Sequence, residues 1–223
     1  LGMLRWFPVF LLLLSSLAAP ADQTRRHYLS GPGMDDTVDW EFRIDIGMNS
    51  GEWTTIPVPS NWELQGFGQY HYGHEIRAHY RGDRPDLEVE TGFYRHRFLV
   101  PHDWSGQHVR IVFEGAMTDT LVRLNGEPAG PLHQGGFYRF SHDVTGLLRY
   151  GAENLLEVEV SEQSADASVD QAERGADYWT FGGIYRPVYL EIKPARRIVH
   201  FAVDAGMDGE LTVSVECAGL SPD

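Results

Sequence analysis

One cysteine, Cys217, and one lysine, Lys193, occur in a chain of 223 residues. A lone thiol rules out an intrachain disulfide, so the fold must be held by its apolar core even in a compartment that permits cross-links. Positive charge is scarce: Lys+Arg 18 against Asp+Glu 32 gives a formal charge of −14. The acidic excess is spread along the chain, which argues against nucleic acid or an anionic membrane as a partner and leaves solvation as its role. No segment sustains helical periodicity, and only Thr145–Arg149 could make a short turn of helix. The sequence has no Gly-x-Ser-x-Gly elbow, so an acyl-transfer nucleophile is not visible. Gly182-Gly183 lacks the strand-to-helix setting and the Lys-Ser/Thr pair of a phosphate loop. His71, His74 and nearby His79 sit in a Gly/Tyr-rich loop without Cys or carboxylate at ligand spacing, so no metal-binding residue is assigned. The 42% hydrophobic content is enough for a proper core, and the length suits one domain or one plus a piece of another.

Long apolar runs are missing too. Trp6–Leu14 is well short of the roughly 20 residues of a membrane span. With Arg5 before it and Ala19-Pro20-Ala21 after it, the run reads as a secretory signal over residues 1–21, giving a secreted or periplasmic chain without a stable membrane anchor. No cysteine lies near the cleavage site for a lipid anchor. Leu1 and Gly2 precede the first Met3, which suggests a translated fragment.

Beyond an irregular lead-in at residues 22–38, short strands and turns dominate. Phe93–Val100 and His108–Phe113 are rich in β-formers. Thr120–Leu124 runs into Asn125-Gly126, a strong hairpin signal. Leu156, Val158 and Val160 alternate with Glu157 and Glu159; Val188, Leu190 and Ile192 alternate with Tyr189, Glu191 and Lys193. Trp62, Trp104 and Tyr94 are expected in the core. The pattern predicts an all-β chain: a jelly-roll sandwich over residues 39–194, then a second strand pair near Arg197–Asp204 and Glu210–Glu216. That pair would leave an apolar face uncovered.

Two loops carry aromatic and polar groups together: Gln65–His74 (QGFGQYHYGH) and Glu173–Trp179 (ERGADYW). Aromatic faces against ring C–H surfaces, a carboxylate for vicinal hydroxyls and an Arg to fix that carboxylate are what an uncharged sugar needs. Asp177 stands between a Gly-Ala step and two aromatics with no element to cap. Glycine after it can take positive φ or approach closely, which fixes a loop, and the glycines with Pro187 are expected to hold it outward.

The runs PVPSNWELQGFG, TGFYRHRFLVPHDWSGQHVRIVFEGAMTDTLVRLNGEPAG, DVTGLLRYGAENLLEVEV and DYWTFGGIYRPVYLEIKP resemble, in order, the N-terminal sugar-binding domain of glycoside hydrolase family 2. That family includes β-galactosidases, β-glucuronidases and β-mannosidases. The residues after Pro194 resemble the opening of the immunoglobulin-like domain that follows in such enzymes. The resemblance implies that Asp177 binds the terminal sugar's hydroxyls, followed by Trp179 as in β-galactosidases. Tyr178, Arg174, His71, Tyr72 and His74 are further candidates for substrate contact. Tyr72-Gly73-His74 stands where β-galactosidases place an Asn, which puts galactose specificity in doubt. The resemblance implies a carbohydrate partner with a terminal β-linked sugar, and a catalytic barrel that carries the nucleophile and acid/base. The chain has no room for that barrel, so no catalytic residue is assigned and the fragment alone is expected to be inactive. A metal ion in the full-length enzyme is possible, without ligands assigned here. A free-standing carbohydrate-binding module and a purely structural sandwich are the alternatives.

Overall fold

The computed structural model describes residues 23–70, 88–175 and 179–220. The alternating segments form two antiparallel sheets facing each other. In the larger, β4 (Thr91–Val100) pairs with β9 (Ala152–Ser161) along their whole length, from Thr91↔Ser161 to Val100↔Ala152. The strand order is β3 (Thr54–Val58), β2 (Val38–Ile44), β4, β9, β6 (Asp119–Leu124), β7 (Glu127–Pro128). The smaller sheet runs β1 (Arg25–Tyr28), β10 (Val188–Lys193), β5 (His108–Phe113), β8 (Phe140–Asp143). This is the all-β jelly-roll sandwich that the alternation predicts.

Side chains alternate across each strand, so one register sends a whole set of apolar residues inward. Leu156, Val158 and Val160 are buried on β9 while Glu157 and Glu159 face out. They meet Trp40, Phe42, Ile44 and Tyr94 from the same sheet, and Val109, Ile111, Phe113, Val188, Leu190 and Ile192 from the other, in one core cluster. Trp62 and Trp104 belong to it as well. Asn125 (φ 56) and Gly126 (φ 88) turn β6 into β7. Positive φ at both central residues is the turn whose twist matches its flanking strands.

Four details differ from the sequence reading. First, the lead-in is not wholly irregular, because β1 pairs with β10 from Arg25↔Ile192 to Tyr28↔Tyr189. An edge strand is held by backbone bonds that leave little mark on side-chain pattern. Second, Tyr189, expected on the outer face, is buried: the Tyr28 ring lies 5.4 Å from it and the Arg26 guanidinium 4.8 Å from its centroid. Third, Thr145–Arg149 makes only a turn, with Leu147 N and Leu148 N donating to Val144 O. Fourth, an unpredicted helix, α1 (Ala167–Arg174), follows β9. Asp166 caps it, accepting from Ser168 N (2.8 Å) and Val169 N (3.2 Å). Its buried face carries Asp170 and Glu173 rather than apolar residues, so hydrophobic periodicity gives no signal for it.

After Pro194, β11 (Arg197–Ala205) and β12 (Leu211–Ala218) form an antiparallel hairpin. Phe201↔Val215 and Val203↔Val213 are paired, and so are His200↔Glu216 and Ala202↔Ser214. One face is therefore apolar and the other mostly polar. Phe201 remains 65% exposed and Val213 53%, the uncovered face that the sequence predicts. Among the described residues no helix is long and apolar enough to cross a membrane.

Candidate functional site

The loop that follows α1 enters β10 through Thr180–Pro187, and residues 60–63 hold it from below. Ser60 N donates to Ile184 O (2.9 Å) and Trp62 N to Gly182 O (3.2 Å). The Asn61 side chain donates to Phe181 O (2.9 Å). In the reverse direction Gly182 N donates to Glu63 Oε1 (2.8 Å). On the far side Gly183 exchanges both backbone bonds with Met117 (2.9 and 3.2 Å).

The double glycine acts by close approach, one of the two ways in which glycine is expected to fix the loop. A Cβ on Gly182 would stand 2.0 Å from Trp62 Cζ2, and one on Gly183 (φ +116) 2.9 Å from Ser60 O. Only a residue without a side chain lets this backbone lie on the indole.

Trp179 is half-buried just before this clamp. Phe181 stacks on the exposed Tyr70 with centroids 5.9 Å apart and planes at 19°. Tyr70 lies within the first aromatic loop and Phe181 just past the second, so the stack brings these two stretches of the chain together. Arg174 closes α1 but turns inward: its side chain is 7% exposed, Nη2 lies 3.4 Å from Glu162 Oε1 and Nε 3.7 Å from Asp170 Oδ1. It therefore anchors the helix beneath the loop instead of presenting a fork to solvent. Asp177, Tyr178, His71, Tyr72 and His74 lie outside the described residues.

A buried acidic cluster backs the loop. Glu63 sits in the 3-10 turn Glu63–Gln65, Glu90 just before β4 and Glu162 just after β9. One carboxylate oxygen from each lies within 4.8 Å of the others. Glu63 is 5% exposed and Glu90 fully enclosed; Glu90 Oε2 accepts the Trp62 indole N–H at 3.1 Å. Burial, with the charge of Glu162 adding to it, pushes Glu63 up to about 8 and Glu90 up to about 7. No sugar ring can reach carboxylates this deeply enclosed, so the cluster supports the loop and does not cleave.

Sequence reasoning missed Asn61, Glu63, Glu90, Glu162 and Phe181. Asn61 and Glu63 lie within the quoted SNWE stretch, but their partners are about 120 residues away and no local pattern pairs them. Phe181 was within view as an aromatic beside the double glycine.

Residues 37–194 match the family model described as glycosyl hydrolases family 2, sugar binding domain. The chain belongs to this family. It is 32% identical over 176 residues to a β-galactosidase of Priestia megaterium, covering 74% of this chain and 16% of that protein. It is likewise 32% identical over 166 residues to a β-glucuronidase of Formosa agariphila, covering 69% and 16%. The chain thus spans about a sixth of the length of these relatives. Among solved structures, a β-glucuronidase of Ruminococcus gnavus superposes with a TM-score of 0.60 at 18% identity, over 89% of this chain and 34% of that one. A putative β-galactosidase from Bacteroides fragilis gives 0.60 at 24% identity, over 89% and 29%. At these identities the structural likeness establishes the fold alone.

Proposed function

We propose that this chain is the sugar-binding N-terminal part of a secreted, exo-acting β-glycosidase of β-galactosidase or β-glucuronidase type, which hydrolyses O-glycosyl bonds in carbohydrate catabolism. The observation that carries the reading is the clamp of residues 60–63 onto 181–184. It fixes the backbone just past Trp179 against a buried indole, a few residues along the chain from Asp177. Asp177 accepts hydrogen bonds from two hydroxyls of a terminal sugar, and Trp179 offers an aromatic face to its C–H surface. Tyr178, His71, Tyr72 and His74 complete the contacts. The nucleophile and acid/base lie on a barrel domain outside the matched residues, so this chain alone leaves a glycoside intact. The immunoglobulin-like domain begins after Pro194 with β11 and β12. The N-terminal pattern of Arg5, Trp6–Leu14 and Ala19-Pro20-Ala21 supports export; a mature protein beginning near Asp22 is expected from N-terminal sequencing of the exported product.

The deciding experiment uses the full-length enzyme on nitrophenyl β-galactoside and β-glucuronide. Asp177→Ala is expected to lose at least about 100-fold in kcat/KM, since removing a group that orients the substrate misplaces the reacting bond. The melting temperature should stay unchanged. Wild-type turnover in this variant would end the reading. Sugar binding by the 223-residue chain at full strength, without any barrel, would instead favour a free-standing carbohydrate-binding module.

A further inference from the structure

We propose that Glu63, Glu90 and Glu162 form a structural site for a divalent cation of calcium's size, which ties three distant segments together behind the loop. Three independent features meet at this point.

The first is geometry. Oxygens that share one calcium ion at about 2.3–2.6 Å can lie up to about 5 Å apart, and these three carboxylates each place an oxygen within 4.8 Å of the others. A magnesium ion at about 2.0–2.1 Å demands a tighter set.

The second is unmet valence. Glu63 Oε2 and Glu90 Oε1 are enclosed and accept no hydrogen bond, on side chains 5% and 0% exposed. Buried polar atoms in folded proteins almost always have a partner, and an orphaned one marks an unplaced ion or water. Two orphaned carboxylate oxygens in one pocket of hard donors call for a cation.

The third is charge. Arg174 stands 3.4 Å from Glu162 and 3.7 Å from Asp170, so one guanidinium faces two acids. Glu63 and Glu90 are met by neutral donors, the Gly182 N–H and the Trp62 indole. An ionised carboxylate taken out of water needs a counter-charge. A divalent ion supplies it to all three at once, and it links the 60–65 turn, the entry to β4 and the exit of β9.

The position of Trp62 supplies the test. Its indole donates to Glu90, close enough to pass excitation to a luminescent lanthanide. Terbium, which takes calcium sites, is titrated into the purified chain with excitation at tryptophan. Saturable emission that added Ca²⁺ reverses is expected. Glu63→Gln and Glu90→Gln should each weaken it by roughly tenfold or more, while the exposed Glu127→Gln should leave it unchanged. In a parallel melt, Ca²⁺ at about 100 times its Kd should raise the melting temperature by roughly 5–10 °C over the same protein in chelator, and more than Mg²⁺ does. Should either glutamine variant fail to fold, this wild-type melt decides by itself. Emission that does not saturate, emission in both glutamine variants equal to that of wild type, or a melt indifferent to Ca²⁺ would overturn the proposal and leave protons as the counter-charge.

Discussion

Gly182→Ala is the sharpest perturbation of the clamp. The added methyl would sit 2.0 Å from Trp62 Cζ2 and 2.3 Å from Cε2, far inside contact distance. Trp62 is fully buried, and its indole N–H is tied to Glu90 at 3.1 Å, so the ring has no free direction in which to slide. Inserting one methyl into a packed core costs about 1–3 kcal/mol. The backbone shift that accompanies it gives up the 2.8 Å bond from Gly182 N to Glu63 Oε1, worth about 0.5–1.5 kcal/mol. The two add to about 1.5–4.5 kcal/mol. For a domain of this size that lowers the melting temperature by roughly 3–18 °C. Gly33→Ala is the control, because a Cβ there meets nothing within 4 Å and should change stability by less than about 0.5 kcal/mol. Thermal melts followed by circular dichroism, with urea midpoints alongside, read both. A Gly182→Ala melt within about 2 °C of wild type would refute the view that close approach to Trp62 is what the glycine serves.

His96 stacks on Trp40 at 4.8 Å and 14°, and burial, with the nearby His27 charge adding to it, lowers its pKa to about 4. Because the folded value lies below the usual 6.5, its contribution is intact above pH 6.5 and is lost as pH falls through about 4. His96→Phe keeps the stack and removes the proton site, so its melting temperature should fall less steeply over that window; parallel slopes would contradict this. Asn125→Gly keeps the left-handed turn but loses bonds to Leu147 O (2.9 Å), Asn154 Oδ1 (2.8 Å) and Leu155 N (3.0 Å). A loss of about 2 kcal/mol by urea titration is expected, and a change below about 0.5 kcal/mol would show the side chain to be dispensable. The double variant Phe201→Ser, Val213→Ser should reduce self-association in light scattering while leaving the main melt in place, since both residues are more than half exposed. A melt lowered by more than about 4 °C would mean that this hairpin face supports the sandwich.

The sandwich was legible because its strands write their burial in a period of two. β5 spans the predicted His108–Phe113, β4 differs from its prediction by two residues, and the Asn125-Gly126 turn falls where expected. Each of these depends on neighbours close in sequence or on a regular inward face. β1 was missed because an edge strand needs no pattern. Tyr189 was misplaced because its cover comes from Arg26 and Tyr28, residues read as irregular. The clamp of residues 60–63 on 181–184 was not legible, because its partners are far apart in sequence.

That failure has a physical source. A pattern search looks for apolar residues facing inward, whereas the ground under the loop is polar: Asn61, Glu63, Glu90, Glu162, Asp170, Glu173 and Arg174 are buried or half-buried there. Apolar packing tolerates exchange of one hydrophobe for another, because its energy follows area and volume. A buried charged cluster does not, since removing one member strands the others at a cost of about 3–5 kcal/mol for a broken pair. The chain therefore places its least exchangeable interactions around residues 60–63 and 181–184, and uses ordinary apolar packing between the sheets. A substrate-orienting carboxylate gains from such a base, because catalytic groups lose effect when displaced by as little as about 1 Å. Glycine at 182 belongs to the same design: it brings the backbone onto Trp62, whose indole holds Glu90, and presents its N–H to Glu63. Backbone, indole and carboxylates are thus a single mechanical unit, and a change in any one of them should be felt along Phe181–Ile184.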